Sequence, residues 1–326
     1  MMKAIQIREY GTPDVLHWQE IDEPTALGAN EAQVRLAVAG LNYIDVYRRS
    51  GEYPEDLPLP LILGQEGAGV VESVGAEVTT VKVGDRVAYC NVLGSYAEVS
   101  NVPADQLIPL PNDVSFEQGA AFPLQGMTAH YLIHDYVALQ PGKTMLVHAA
   151  AGGVGLLVVQ WAKHLGAKVI GTVSTQEKAQ VARAAGADEV ILYTEQDFVA
   201  ETKRLTAGRG ADLVLDGVGQ STFAGSLEAT AMHGTVVSYG WSSGLPESVA
   251  PISLIVRSLK VGGGNLVNAT TTRELLLQRA NGVLEGIRAG WLDLRIDSIL
   301  PLYDAAEAHR RLESRTSMGK ILLTIR

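Results

Sequence analysis

Two textures of hydrophobic and polar positions divide the chain. Up to about residue 122, apolar residues fall in short runs between turn residues, as at 32–39, 69–74 and 86–90, with breakers at Gly64, Gly67, Gly75 and Gly84. Short strands between tight turns predict an irregular, barrel-like β-rich unit. From about residue 123 strand-like runs at 144–149, 168–173, 189–193, 212–218, 234–240 and 259–262 alternate with helical spacing at 154–165, 176–185, 198–206 and 222–232. Val154, Val158, Trp161 and Leu165 share one helical face, as packing on a sheet requires. This rhythm predicts a doubly wound parallel sheet. Past residue 264 the pattern gives a helix over 272–289, a helical run over 305–314 and a closing strand over 320–325. We therefore expect an α/β chain of two domains, one discontinuous (1–122 with 264–326) and one continuous (123–263).

Composition narrows the function more than the fold. Hydrophobic residues make up 47% of the 326 and charged residues 19%, a globular balance. A formal net charge of −10 disfavours a binder of nucleic-acid backbone, which needs a basic face. The single cysteine, Cys90, rules out an internal disulfide and any multi-cysteine zinc site, and its apolar neighbours make it strand packing rather than a nucleophile. The first residues lack an apolar signal core, and the apolar stretch 144–162 is interrupted by His148 and three glycines, so no membrane span is expected. A sequon at Asn268 without a secretory signal is read as chance. A cytoplasmic protein is expected.

The stretch HAAAGGVG at 148–155 joins a strand-like run to a helix-like run. In the dinucleotide fingerprint G-x-G-x-x-G, successive glycines allow the turn, the approach of backbone to pyrophosphate, and the packing of helix on strand. Ala150, Gly152 and Gly155 hold those positions, with Gly153 as an extra small residue and Val154 opening the helix whose N–H groups face the anion. An enzyme using NAD places Asp or Glu about 20 residues further on, at the ribose 2′-hydroxyl. Here Ser174 and Thr175 stand in that place and Lys178 follows. Hydroxyls and an ammonium suit a 2′-phosphate that a carboxylate would repel, which favours NADPH over NADH. The same residues also fit a helix start, with Ser174 and Glu177 as a capping box.

The ordered set NYIDVY (42–47), GEYP (51–54), GQEGAG (64–69), VGDRV (83–87) and AAAGGVG (149–155) resembles the medium-chain dehydrogenase/reductase superfamily along the whole chain. Within it the chain is most similar to the zinc-free NADPH:quinone oxidoreductases, the zeta-crystallin branch. That resemblance implies a GroES-like catalytic domain, a Rossmann domain, a cofactor cleft between them and a homodimer. It implies that Asn42, Asp45, Tyr47 and Tyr53 line the nicotinamide and substrate cleft, and that Gly126 and Thr128 lie near the cofactor. It further implies cofactor contacts from Gly217, Tyr239, Gly240, Trp241 and Ser242, with Tyr193 and Arg315 around the adenosine phosphate. Each also has a structural account: Asn42 and Asp45 as a helix cap, the tyrosines as packed aromatics, Arg315 as a solvated side chain.

Zinc-dependent relatives carry cysteine at the position of Asn42 and histidine at that of Gln65, and neither substitute is a usual zinc ligand. His130 and His134 share a helical face but lack an evident third ligand, so no metal is expected. Reduction without a Lewis acid calls for an acceptor that takes hydride readily, which a quinone does. Two rivals stand beside a quinone reductase. One is an enone or enoyl-thioester reductase with Tyr53 as proton donor; the other is a crystallin-like nucleotide- or RNA-binding protein with little catalysis. Family members often show GNSSG where this chain has GWSSG at 240–244, so Trp241 bears on substrate size. The glycine run at 261–264 is a candidate pairing edge for a dimer.

Overall fold

A computed structural model describes residues 1–54 and 57–325. Along the chain, strands β1 (Met2–Ile7), β2 (His17–Ile21) and β3 (Glu31–Leu41) precede helix α1 (Tyr43–Ser50). Strands β4 (Leu61–Ile62), β5 (Glu66–Val74), β6 (Arg86–Cys90), β7 (Val99–Pro103) and β8 (Ile108–Pro109) follow, then helices α2 (Phe116–Gly119) and α3 (Pro123–His134). The middle alternates: β9 (Thr144–Val147), α4 (Gly153–His164), β10 (Lys168–Val173), α5 (Gln176–Ala184), β11 (Glu189–Leu192), α6 (Phe198–Leu205), β12 (Ala211–Asp216), α7 (Phe223–Ala229), β13 (Thr230–Ser238), α8 (Ile252–Ile255), β14 (Lys260–Gly263) and α9 (Leu266–Ala269). The tail carries α10 (Arg273–Arg288), β15 (Ile296–Pro301), α11 (Ala305–Glu313) and β16 (Lys320–Thr324).

Two compact units emerge. The first contains Met1–Leu124, Thr270–Asn281 and the chain from Ile296. Its main sheet runs β15-β16-β3-β5-β6-β8, with β7 also on β3, and a small antiparallel sheet runs β2-β1-β4. The last strand is built into the middle of this unit: Ile321 pairs with Leu41 and Thr324 with Val38. Ile5, Val34, Leu36, Tyr89, Tyr96, Leu302, Ile321 and Leu323 meet in one core. Alternation of buried and half-buried residues along β3 marks a sheet with one apolar face.

The second unit contains Gln125–Ala269 and Gly282–Arg295. Its six parallel strands run β11-β10-β9-β12-β13-β14, the order 3-2-1-4-5-6 of the doubly wound dinucleotide fold, with the switch point between β9 and β12. All four residues of β9 and five of six in β10 are buried, as strands covered on both faces must be.

The structure departs from the sequence expectation at the domain boundary and at one helix end, and residues 264–269 fall in the parallel-sheet unit. The tail is shared: residues 282–295 pack with the parallel sheet, where Val283 lies against Gly126 and Gln160 bonds Asp293. The helix expected over 222–232 ends at Ala229, because Thr230 already pairs with Ala211 in β13. Among the described residues no helix is long and apolar enough to cross a membrane.

Candidate functional site

In the parallel-sheet unit the strand ends converge. The turn after β9 places Ala149 in the left-handed region, at φ 50°, and its carbonyl accepts from the Gly152 amide at 2.8 Å. A Cβ on Gly155 would overlap that same carbonyl, so only glycine lets α4 begin this close to the strand. Ala150, which holds the first fingerprint position, is buried and bonds through its N–H to the Thr172 carbonyl of β10 at 3.1 Å. Its methyl fits because its neighbour on β10 is Gly171, where a Cβ would come within 2.6 Å of it. The glycine missing from the fingerprint is thus supplied from the adjacent strand, while the turn strain falls on Ala149. Gly152 is the N-cap of α4 and offers no side chain to the first turn, which leaves Gly153, Val154 and Gly155 presenting backbone there. The helix dipole at this end favours an anion, and the Gln125 amide lies over Gly153, where a Cβ would overlap its oxygen.

At the end of β10 the cap of α5 is Thr175, whose Oγ1 accepts from the Lys178 amide at 3.3 Å. This corrects the expected box of Ser174 and Glu177: Ser174 lies one residue outside the helix, half-buried, and Glu177 is exposed in the first turn. Beside them Tyr193, at the end of β11, is 46% exposed and donates its N–H to the Val173 carbonyl. Across the switch point the turn after β12 is fastened to the turn after β13. The Ser242 and Ser243 amides bond the carbonyls of Gly217 and Val218 at 3.3 and 2.8 Å. The Tyr239 ring lies over Gly217, and Trp241 packs on Gly219. Gly126 and Thr128 are buried on α3.

The antiparallel unit carries the other candidates. Asn42 is the N-cap of α1, and its backbone N–H bonds the Asp45 carboxylate at 2.9 Å in a capping box. Its side chain is engaged elsewhere: Oδ1 accepts from Lys320 Nζ at 2.7 Å and Nδ2 donates to Glu66 Oε2 at 2.8 Å. Glu66 and Lys320, both buried, form an ion pair, and the other Glu66 oxygen accepts from the Leu124 amide at 2.7 Å. Gly40 makes the cluster possible, since a Cβ there would lie 2.5 Å from Glu66 Oε2 and 2.9 Å from Lys320 Cε. Glu66 lies within the GQEGAG stretch, but no local pattern paired it with Lys320, 254 positions away.

Asp45 ends a second buried chain. Arg49 can only donate, so the bond of 3.0 Å to His309 Nδ1 makes that nitrogen an acceptor and Nε2 the N–H. Nε2 faces the Tyr96 hydroxyl at 3.2 Å, which donates to Asp45 at 3.3 Å. Burial, then the charge of Arg49, pulls the imidazole down to about 3, so it stays neutral. Burial pushes the Asp45 carboxyl up to about 7 against the bond from Asn42 and the charge of Lys320. Tyr47 is buried against Tyr43, ring centroids 5.3 Å apart, and the Arg48 guanidinium lies 4.8 Å from the Tyr53 ring. Arg315, expected near the adenosine phosphate, belongs to this unit and stands beside the Tyr43 phenol, which burial raises and Arg315 draws back down.

Comparison with known proteins agrees with this layout. Residues 28–112 match the alcohol dehydrogenase GroES-like domain and residues 153–281 the zinc-binding dehydrogenase family. The chain is 43% identical to quinone oxidoreductase 1 of Escherichia coli and 37% identical to a 2-haloacrylate reductase of Burkholderia sp, each over 99% of both chains. It matches the crystal structure of E. coli quinone oxidoreductase complexed with NADPH at a TM-score of 0.95 and 42% identity, over 99% of this chain and 100% of that one.

Zinc does not fit the residues present. The Asn42 oxygen faces an ammonium, Gln65 offers a buried amide nitrogen without a partner, and no three His, Cys, Asp or Glu side chains gather among the described residues. His130 and His134 instead set their rings edge-on to Trp161.

The raised Asp45 value fixes a sign. A carboxyl that holds its proton more tightly when folded loses stability as pH rises from about 4, its unfolded value, to about 7, and adds no further loss above that. Asn at 45 keeps an oxygen for both donors without the charge. Urea unfolding should therefore show wild type losing stability relative to Asp45→Asn between pH 4.5 and 8. A difference that moves the other way would mean that the charged cap outweighs burial.

Proposed function

Since this chain belongs to the medium-chain dehydrogenase/reductase superfamily, within the quinone oxidoreductase family, we propose that it is an NADPH-dependent quinone reductase that works without a metal. The observation that carries the cofactor choice is the end of β10, where Ser174, Thr175 and Lys178 replace the carboxylate of an NAD site. In this reading the turn 149–155 holds the pyrophosphate, the residues at 174–178 and Tyr193 hold the 2′-phosphate, and Gly217 with the 239–242 turn supports the rest of the dinucleotide. NADPH, when bound, supplies the hydride that a quinone accepts. Asp45 fixes the start of α1, and Glu66 with Lys320 fixes the orientation of the buried Asn42 amide, so this part of the fold is set before an acceptor arrives. A quinone oxygen takes its proton readily from solvent, so no buried acid is required. Quinone oxidoreductases of 42–43% identity support the substrate class. A lone buried thiol and a cytoplasmic setting go together with it.

A second reading, reduction of an activated carbon–carbon double bond, is favoured by the likeness to the 2-haloacrylate reductase. It needs a donor that protonates carbon, and the half-buried Tyr53 phenol beside Arg48 is the candidate.

We also propose a homodimer through the open edge of the parallel sheet. Among the described residues β14 pairs on one side only, with β13, and Ile252, Ile255 and Val256 near it are 70%, 65% and 86% exposed. A second copy pairing along β14, where the Tyr136 hydroxyl already bonds the Gly263 carbonyl at 2.7 Å, covers this edge and the apolar surface beside it.

Three experiments check these points. The metal-stripped protein should oxidise NADPH with 1,4-benzoquinone, and Ser174→Asp should lower kcat/KM for NADPH by about tenfold or more while NADH improves; preference for NADH in wild type would reduce the 174–178 segment to a helix cap. Tyr53→Phe should leave most quinone turnover, whereas near-complete loss confined to enones would favour the second reading. Light scattering should give a dimer for wild type and a monomer for Val256→Asp, and an unchanged mass would place the interface elsewhere.

A further inference from the structure

A buried polar chain crosses the parallel sheet at its switch point, and no role above uses it. His148, the residue before the phosphate turn, is 1% exposed. Its Nδ1 lies 2.9 Å from Thr172 Oγ1 on β10 and its Nε2 lies 2.9 Å from Ser226 Oγ on α7. Ser226 bonds Asp216 Oδ2 at 2.7 Å, at the end of β12. Asp216 Oδ1 gathers the amides of Val218 and Gly219 at 2.9 and 3.0 Å and the Thr222 hydroxyl at 2.8 Å.

The direction of every bond follows from one end. As a carboxylate Asp216 only accepts, so Ser226 spends its single proton on it and must accept from His148. His148 therefore carries its proton on Nε2 and accepts at Nδ1 from the Thr172 hydroxyl. Burial lowers the imidazole against the opposing pull of Asp216, which keeps the neutral tautomer that this order requires. The Phe198 ring, 4.8 Å away and edge-on, closes the pocket on the helix side.

The chain thus ties together three strand ends. Thr172 is also the residue whose carbonyl holds the Ala150 amide of the phosphate turn, and it lies two residues before Ser174. Asp216 organises the turn that carries Gly217. We propose that His148 is a positioning residue for the dinucleotide, in an inference that rests on the NADPH reading: through Thr172 and through Ser226 and Asp216 it sets the spacing between the pyrophosphate turn at 149–155, the 2′-phosphate residues at 174–178 and the turn at 217–219. It touches no part of the cofactor. It fixes the frame that meets a dinucleotide carrying anionic groups at two separated points, so less of the site has to be ordered on binding.

Thr172→Val keeps the β-branched shape and removes the donor to Nδ1; Ser226→Ala removes the link to Asp216; Ser226→Thr restores a hydroxyl. NADPH titration by fluorescence should show Kd raised on the order of tenfold in each of the first two. Benzoquinone KM should stay near wild type at saturating NADPH, and Ser226→Thr should recover binding. Nitrogen-15 spectra of the histidine-labelled protein without cofactor should show His148 in the Nε2–H form, changed in Ser226→Ala. Wild-type Kd in both disruptive variants would overturn the proposal, and so would a Kd loss that merely follows melting temperature without rescue by threonine. If wild type binds no NADPH while His148 shows the expected tautomer, the NADPH reading falls and takes the positioning role with it. If wild type binds and the variants bind equally, the role alone falls.

Discussion

A carboxylate sealed from water governs the antiparallel unit. Glu66 is fully buried, and stripping water from such a charge costs several kcal/mol unless a counter-charge and hydrogen bonds replace it. Each replacement comes from a different part of the chain: Lys320 from the last strand, Asn42 from the N-cap of α1, and the Leu124 amide from the start of α3. Satisfying one side chain therefore fixes four elements. Removal of a single partner from such a pair leaves the other uncompensated, a loss of about 3–5 kcal/mol. Where zinc-dependent relatives place a thiolate, this chain has an amide whose oxygen already faces an ammonium.

The parallel-sheet unit is governed by closeness of backbone instead of by charge. Its turn works because a strand end, a helix start and the neighbouring strand approach to distances that side chains would forbid at Gly155 and Gly171. Ala150 shows that the fingerprint is a condition on space shared between two strands, and that a methyl on one is admitted by its absence on the other. The two units thus settle their polar groups differently, one by neutralising charge in place, the other by close approach of backbone.

Much of this was legible in the sequence, for a physical reason. Strands covered on both faces read as apolar runs, so β9, β10 and β11 lie within two residues of their expected bounds. The helix over 222–232 was overextended because apolar spacing persists through Met232, while the pairing of Thr230 with Ala211 that ends it is non-local. Ser174 and Thr175 are adjacent hydroxyls, each with an amide three residues on, and only the backbone angles select Thr175 as the cap. The ion pair of Glu66 and Lys320 left no local mark. His148 did leave one, as an imidazole at the end of a fully buried apolar strand, which obliges a polar partner in the fold. The structure supplies the partners as Thr172 and Ser226, 24 and 78 positions on.

The place of Lys320 in the chain has a consequence for how the protein is made. A ribosome adding about 5–20 residues per second releases Lys320 well over ten seconds after Glu66, which it follows by 254 positions. Until then β3 has no partner in β16 and the Glu66 carboxylate lacks its cation, so the N-terminal half emerges first yet closes last. The parallel sheet, whose strands all lie between residues 144 and 263, has its full set of pairings within reach earlier in translation. In a nascent chain all six parallel strands therefore precede the strand that brings β3 its partner and Glu66 its cation.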